Sequence, residues 1–234
     1  MPVERTVEVD GESVSAVHHP AEGDRWMVFC HGFLSDKMGS YERRAARAVE
    51  EGYDAVRFDF RGCGDSDGAF ADSTLGSRLA DLRAVLEAFD PEPCVLFGSS
   101  FGARVAVHAA VDDDRVDAVV GRAPVTYGRA FDDYRALVEE EGEIRVDDGR
   151  AIDRRFFEAL DERPFAEVEA GLDVPVAMFH GRDDESVPLA DTLRAAGELR
   201  GDVLVRAFPG EGHRFSEAAE ARTLDATFDW LARR

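Results

Sequence analysis

One stretch constrains this chain more than any other: Val95-Leu96-Phe97-Gly98-Ser99-Ser100-Phe101-Gly102-Ala103-Arg104-Val105-Ala106-Val107. A short apolar run of strand length stops at Gly98, and a run with helical spacing begins just after Ser100. The Gly-x-Ser-x-Gly between them turns a strand sharply into a helix with Ser100 at the apex. Such a turn crowds the positions two before and two after the serine, and Gly98 and Gly102 leave both empty. The serine is then held in a strained backbone conformation with its hydroxyl exposed. The helix N-terminus beneath it favours negative charge developing at that point.

The rest of the chain alternates in the way this turn demands. Residues 4–9 and 13–18 read as two strands joined at Asp10-Gly11, a hairpin dipeptide. Arg25 to Cys30 is a third strand, running into His31-Gly32-Phe33. Ser40 caps a helix to about Glu51, which Gly52 ends. Tyr53 to Asp59 is a strand, Arg61 to Gly68 a glycine-rich loop, and Leu75 to Phe89 a helix with Leu79, Leu82, Val85, Leu86 and Phe89 on one stripe. The elbow helix runs to about Val111 and is followed by a strand over Val116–Val120. Alternation returns with strands at Val174–Phe179 and Val203–Phe208, a helix near Leu189–Leu199 and a final helix ending at Trp230-Leu231. The pattern implies an α/β fold of one domain over 1–234: a mostly parallel sheet, helices on both faces, and the opening hairpin as an antiparallel edge. Functional groups belong at the C-terminal ends of its strands. Between about 122 and 172 the alternation breaks. Phe131, Tyr134, Leu137 and Val138 have helical spacing, a hairpin is expected around Asp148-Gly149, and Phe156, Phe157 and Leu160 mark another helix. The stretch reads as a small helical and hairpin cap over the functional edge.

Composition narrows the partners. The chain carries 49 acidic and 28 basic side chains, net −21, with Lys37 its only lysine. Nucleic acid and anionic membranes require a basic surface, so neither is expected. The acidic residues are dispersed, which suits a surface adapted to molar salt, as in proteins of extreme halophiles, better than a partner-binding tail. No apolar run is long enough to span a membrane and no signal-peptide pattern opens the chain, so a cytoplasmic location is expected. Cys30, Cys63 and Cys94 show no metal or disulfide spacing; Cys30 and Cys94, in strand-like runs, are expected buried and Cys63 exposed in its loop. No metal or cofactor is expected.

Two further groups stand directly after later strands. Asp184 lies in His180-Gly181-Arg182-Asp183-Asp184-Glu185-Ser186-Val187-Pro188, and His213 in Pro209-Gly210-Glu211-Gly212-His213. A serine hydroxyl needs a base to take its proton as it attacks a carbonyl, and an imidazole titrates in the right range. A carboxylate on the other ring nitrogen fixes the tautomer and stabilises the imidazolium. The backbone N–H groups of Phe101, after the serine, and Phe33, after the third strand, are the candidate oxyanion donors. Ser99 stands at the wrong position of the motif, and Asp183 and Glu185 read as solvated loop charges. His31 and His180 are expected to hydrogen-bond loop backbone, and Asp59 and Arg61 to pin their loop. Tyr127, Phe131, Tyr134, Phe156 and Phe157 are core of the cap or walls of an acyl pocket, and Arg154 and Arg155 surface charges.

The order Ser100…Asp184…His213, with His31-Gly32-Phe33, Asp59-x-Arg61-Gly62-x-Gly64-x-Ser66-x-Gly68 and His180-Gly181-x-x-Asp184-x-x-Val187-Pro188, resembles the α/β-hydrolase superfamily end to end. Within it the chain is similar to compact feruloyl (cinnamoyl) esterases and to a mitochondrial acyl-protein thioesterase, through Ser66-Asp67-Gly68, Ser73-Thr74-Leu75-Gly76 and Gly98-Ser99-Ser100-Phe101-Gly102. Phe101-Gly102-Ala103 and Arg104 depart from the more usual Leu/Gln-Gly-Gly. The resemblance implies a serine hydrolase acting on an ester or thioester, and the small cap argues for a small-to-medium acyl group. An acyltransferase or carrier thioesterase using the same groups, and a ligand-binding protein on a hydrolase fold, are the alternatives.

Overall fold

A computed structural model describes residues 1–234. Strands β1 (Val3–Val9) and β2 (Glu12–His19) form the opening hairpin, turning at Asp10 and Gly11, both with positive φ. Then follow β3 (Arg25–Cys30), α1 (Ser40–Glu50), β4 (Tyr53–Phe58), α2 (Leu75–Phe89), β5 (Cys94–Ser99), α3 (Phe101–Ala109) and β6 (Val116–Arg122). The next segment holds α4 (Asp132–Glu141), the short hairpin β7 (Glu143–Arg145) and β8 (Ala151–Asp153), α5 (Arg154–Glu162) and α6 (Phe165–Gly171). The chain ends with β9 (Val176–Gly181), α7 (Leu189–Glu198), β10 (Val203–Phe208) and α8 (Glu217–Leu231).

Eight strands form one sheet in the order β1-β2-β4-β3-β5-β6-β9-β10. The β1–β2 and β2–β4 pairs are antiparallel and all others parallel. Alternation along the central strands sorts the core into two layers. Val28, Leu96, Val119 and Met178 face the layer containing α2 and α3, whereas Phe29, Phe97, Val120 and Phe179 face α1 and α8. Each of these side chains is essentially sealed from water, which stabilises the fold by roughly 1.5–3 kcal/mol for a large apolar group. Both faces being covered explains why the central strands are apolar throughout rather than alternating. Ile144, Ile152, Phe156 and Val168 of the β6–β9 segment join the α2/α3 layer. No helix is long and apolar enough to cross a membrane.

Three local expectations change. The cap of α1 is Gly39, at φ 63°, whose N–H donates to Glu42 Oε2 at 3.1 Å, and Ser40 is the first helical residue. Helix α6 follows Pro164, where only Phe165 and Val168 turn inward and too few apolar positions repeat to mark a helix. Cys63 is buried, not exposed, because its loop folds back under the site. Asp59 draws that loop in. Its carboxylate accepts from Lys37 N–H and Asp65 N–H and binds Lys37 Nζ at 2.5 Å, and Lys37 Nζ also reaches Asp65 at 2.7 Å. Burial opposes the Lys37 charge, but its bonds to Asp59 and Asp65 win and raise its pKa. Arg61 holds the other side of the loop through Asp81 and Glu12. Asp59 and Arg61 are therefore the loop pins the sequence suggested.

Candidate active site

Ser100 sits between β5 and α3 at φ 53°, ψ −118°, a conformation that L-residues rarely adopt. Three backbone hydrogen bonds hold it there: Ser100 N–H donates to Arg122 O at 2.8 Å, and Ser100 O accepts from Ala103 N–H and Val125 N–H, each at 3.1 Å. The flanking glycines have steric causes. A Cβ on Gly98 would collide with Ala103 backbone, and one on Gly102 with the Cys30 and His31 carbonyls of the β3 end. Register brings these strand ends side by side, Cys30 against Gly98 and Ser99 against Arg122.

Asp184 and His213 meet from the loops after β9 and β10. His213 Nδ1–H donates to Asp184 Oδ2 at 2.9 Å. The Asp184 side chain is sealed from solvent, and its other oxygen accepts from Ser186 N–H at 2.9 Å and Val187 N–H at 2.8 Å. Burial alone would raise the Asp184 pKa, but hydrogen bonds from His180, His213 and Val187 N–H outweigh it and hold the carboxyl well below the usual carboxylate range. Asp184 is thus an anion, and the His213 Nδ1 facing it carries a proton. Asp183 and Glu185 point to solvent.

His180 keeps to the loop, as expected, with Nε2–H shared between Val187 O at 3.0 Å and Asp184 Oδ2 at 3.2 Å and Nδ1 near Thr192 Oγ1. His31 likewise binds backbone: Nδ1–H donates to Gly32 O and Nε2 accepts from Phe60 N–H.

Ser100 and His213 line one cleft of about 490 Å³, together with Phe33, Val125, Phe131 and Tyr134. No hydrogen bond joins Ser100 to His213 in this structure. The Phe101 N–H is the first of α3 and has no acceptor within the helix, and the Phe33 N–H donates to no backbone carbonyl. Gly32 brings Phe33 close, since a Cβ built on Gly32 would stand 3.6 Å from Ser100 Cβ. Of the aromatics, Phe131 and Tyr134 reach the cleft. Phe156 and Phe157 are buried core, and Tyr127 donates to Glu169. Arg155 pairs with Asp153 and Asp72 at the surface.

A charged group beneath the elbow was not foreseen. Arg44 binds Glu220 through Nη2 at 2.8 Å and donates to Ser99 Oγ at 3.0 Å, and Arg122 Nη1 donates to His213 O at 2.6 Å. Burial and then the neighbouring Arg44 charge lower the Arg122 pKa. The group fastens the His213 loop to β6 and α8. Its one sequence trace is Arg122 itself, a charge at the end of an apolar strand.

Sheet order, covering helices and the placing of these groups at strand ends define an α/β-hydrolase, and the chain belongs to that family, whose model, described as alpha/beta hydrolase fold, matches residues 25–153. Among its relatives, the mitochondrial palmitoyl-protein thioesterase ABHD10 of Mus musculus is 30% identical over 226 residues, covering 88% of this chain and 74% of that protein. The solved structure of mouse ABHD10 superposes with a TM-score of 0.81 at 22% identity, covering 99% of each chain. Est1E from Butyrivibrio proteoclasticus, solved with ferulic acid bound, superposes with a TM-score of 0.84 at 20% identity, covering 98% of each.

Proposed function

We propose that this chain is a serine hydrolase that cleaves a carboxylic ester or thioester through an acyl-enzyme. The observation that carries the reading is the Asp184–His213 pair, bonded at 2.9 Å, in the same cleft as a serine held at φ 53°. Ser100 Oγ attacks the carbonyl carbon as His213 Nε2 takes its proton, and Asp184 stabilises the resulting imidazolium. The N–H groups of Phe33 and Phe101 hold the oxyanion of the tetrahedral intermediate. Collapse breaks the bond to the alcohol or thiol, which leaves with the proton from His213. Water then attacks the acyl-enzyme by the same route in reverse roles and releases the acid.

Residues 122–172 act as a cap in this reading, supported by Phe131 and Tyr134 reaching over the cleft. Apolar walls from Phe33, Val125, Phe131 and Tyr134 suit a small-to-medium, partly apolar acyl group. The ester or thioester class agrees with the relatives, one named a thioesterase and one solved with ferulic acid. Labelling with a fluorophosphonate in molar KCl tests the mechanism. Wild type is expected to label, Ser100→Ala not at all, and His213→Ala only weakly. A folded wild type that stays unlabelled would refute it.

A further inference from the structure

The backbone unit that carries the Phe33 N–H is gripped from behind. Its carbonyl, Gly32 O, accepts from Arg78 Nη1 at 3.3 Å and from His31 Nδ1 at 2.9 Å. The next carbonyl, Phe33 O, accepts from Arg78 Nη2 at 3.1 Å. Arg78 Nε donates to Ser73 Oγ at 3.0 Å, and its guanidinium carbon stands 4.9 Å from the centre of the Phe60 ring and 5.2 Å from that of Phe101. Arg78 therefore contacts both residues whose N–H groups are proposed to hold the oxyanion.

Its setting is unusual for an arginine. Arg78 lies on the apolar stripe of α2 with Leu75, Leu79 and Leu82, is fully buried, and forms no ion pair with a carboxylate. Burial lowers its pKa, but a guanidinium starts so high that it stays charged near neutrality. An uncompensated cation in a core is costly, and an apolar side chain of similar volume would avoid the cost. What the cation gains here is a pair of carbonyls next to Ser100.

A trans peptide is planar, with its C=O and N–H pointing in opposite directions. Two donors that fix Gly32 O therefore fix the direction of the Phe33 N–H in the same unit. A cation on the carbonyl oxygen also polarises the amide and strengthens its N–H as a donor. We propose that Arg78 is a positioning residue for the oxyanion site: with the His31 ring it holds and polarises the Gly32–Phe33 amide, presetting the Phe33 N–H for the tetrahedral intermediate. The inference rests on the acyl-transfer reading above.

The test compares an activated oxoester with the matching thionoester, in which sulfur replaces the carbonyl oxygen and is a poorer hydrogen-bond acceptor. Arg78→Met is expected to lower kcat for the oxoester about 30-fold, less than deleting an oxyanion donor outright, with KM within about 3-fold of wild type. The oxoester-to-thionoester ratio of kcat/KM is expected to fall about 10-fold, and Arg78→Lys, which keeps the cation, to recover part of both losses. Arg104→Met removes another buried arginine, one that binds the Thr126 and Arg163 carbonyls, and should leave the ratio unchanged. A folded Arg78→Met with kcat within about 2-fold of wild type overturns the proposal. So does a fall in kcat with an unchanged ratio, which is the mark of a structural role alone. Should the Met variant fail to fold, Arg78→Lys decides by the same ratio, a wild-type value overturning the proposal. Failure of the acyl-transfer reading shows separately, as ester turnover by wild type that survives Ser100→Ala.

Discussion

The backbone at Ser100 makes a prediction that separates strain from chemistry. At φ 53°, ψ −118°, a Cβ is crowded by its own backbone, and residues in such regions cost of order 1–3 kcal/mol. Ser100→Ala and Ser100→Gly both delete Oγ, which has no hydrogen bond to lose, but only glycine deletes Cβ. Glycine relieves the strain and adds back roughly 0.5–1 kcal/mol of chain entropy in the unfolded state. The expected net is that Ser100→Gly is more stable than Ser100→Ala by about 1–2 kcal/mol. For a chain of this size, 1 kcal/mol corresponds to about 2–4 °C, so the two melting temperatures should differ by about 4 °C. Thermal unfolding of both variants, followed by circular dichroism in molar KCl, reads the difference directly. A glycine variant that melts at or below the alanine variant would refute the claim that the elbow is held against its own conformational preference.

Three further predictions concern charge. With a net charge of −21, the folded chain repels itself in dilute buffer, and molar salt shortens the screening length to about 3 Å. The melting temperature should climb steeply between low and molar KCl, and a flat profile would exclude adaptation of the surface to salt. Asp184→Asn should keep the fold and lower kcat by about 10⁴-fold through loss of the correct His213 tautomer, measured with an activated ester. The Asp184 carboxyl titrates below its unfolded value, so its ionisation adds stability above about pH 4 that is lost as pH falls toward the folded pKa. Denaturant titrations should therefore show the stability gap between wild type and Asp184→Asn closing on acidification; a gap independent of pH would refute this.

What the sequence made legible was local. Ser100, Asp184 and His213 each follow a strand by a few residues and lie near a glycine, so periodicity and turn chemistry locate them without knowledge of packing. The Asp10-Gly11 hairpin and the stripe of α2 are legible for the same reason. What stayed hidden depends on contacts between distant residues. Arg44 meets Glu220 across 176 positions, and Arg78 meets Phe33 across 45. An arginine on a helix reads as a solvated charge unless the carbonyls that receive it are known. Cys63 differs from its expectation for a related cause: its loop looks exposed by composition, but the Asp59–Lys37 contact draws it inward. Gly39 displaced Ser40 as the cap because Glu42 reaches back to the glycine N–H, a bond that depends on side-chain direction rather than residue type.

The one lysine of the sequence has its ammonium enclosed by Asp59 and Asp65 and almost sealed from solvent. The same enclosure makes the lysine a built-in clock. Its acylation has to wait for the loop to open, so the rate at which Lys37 becomes labelled reports how often the protein breathes.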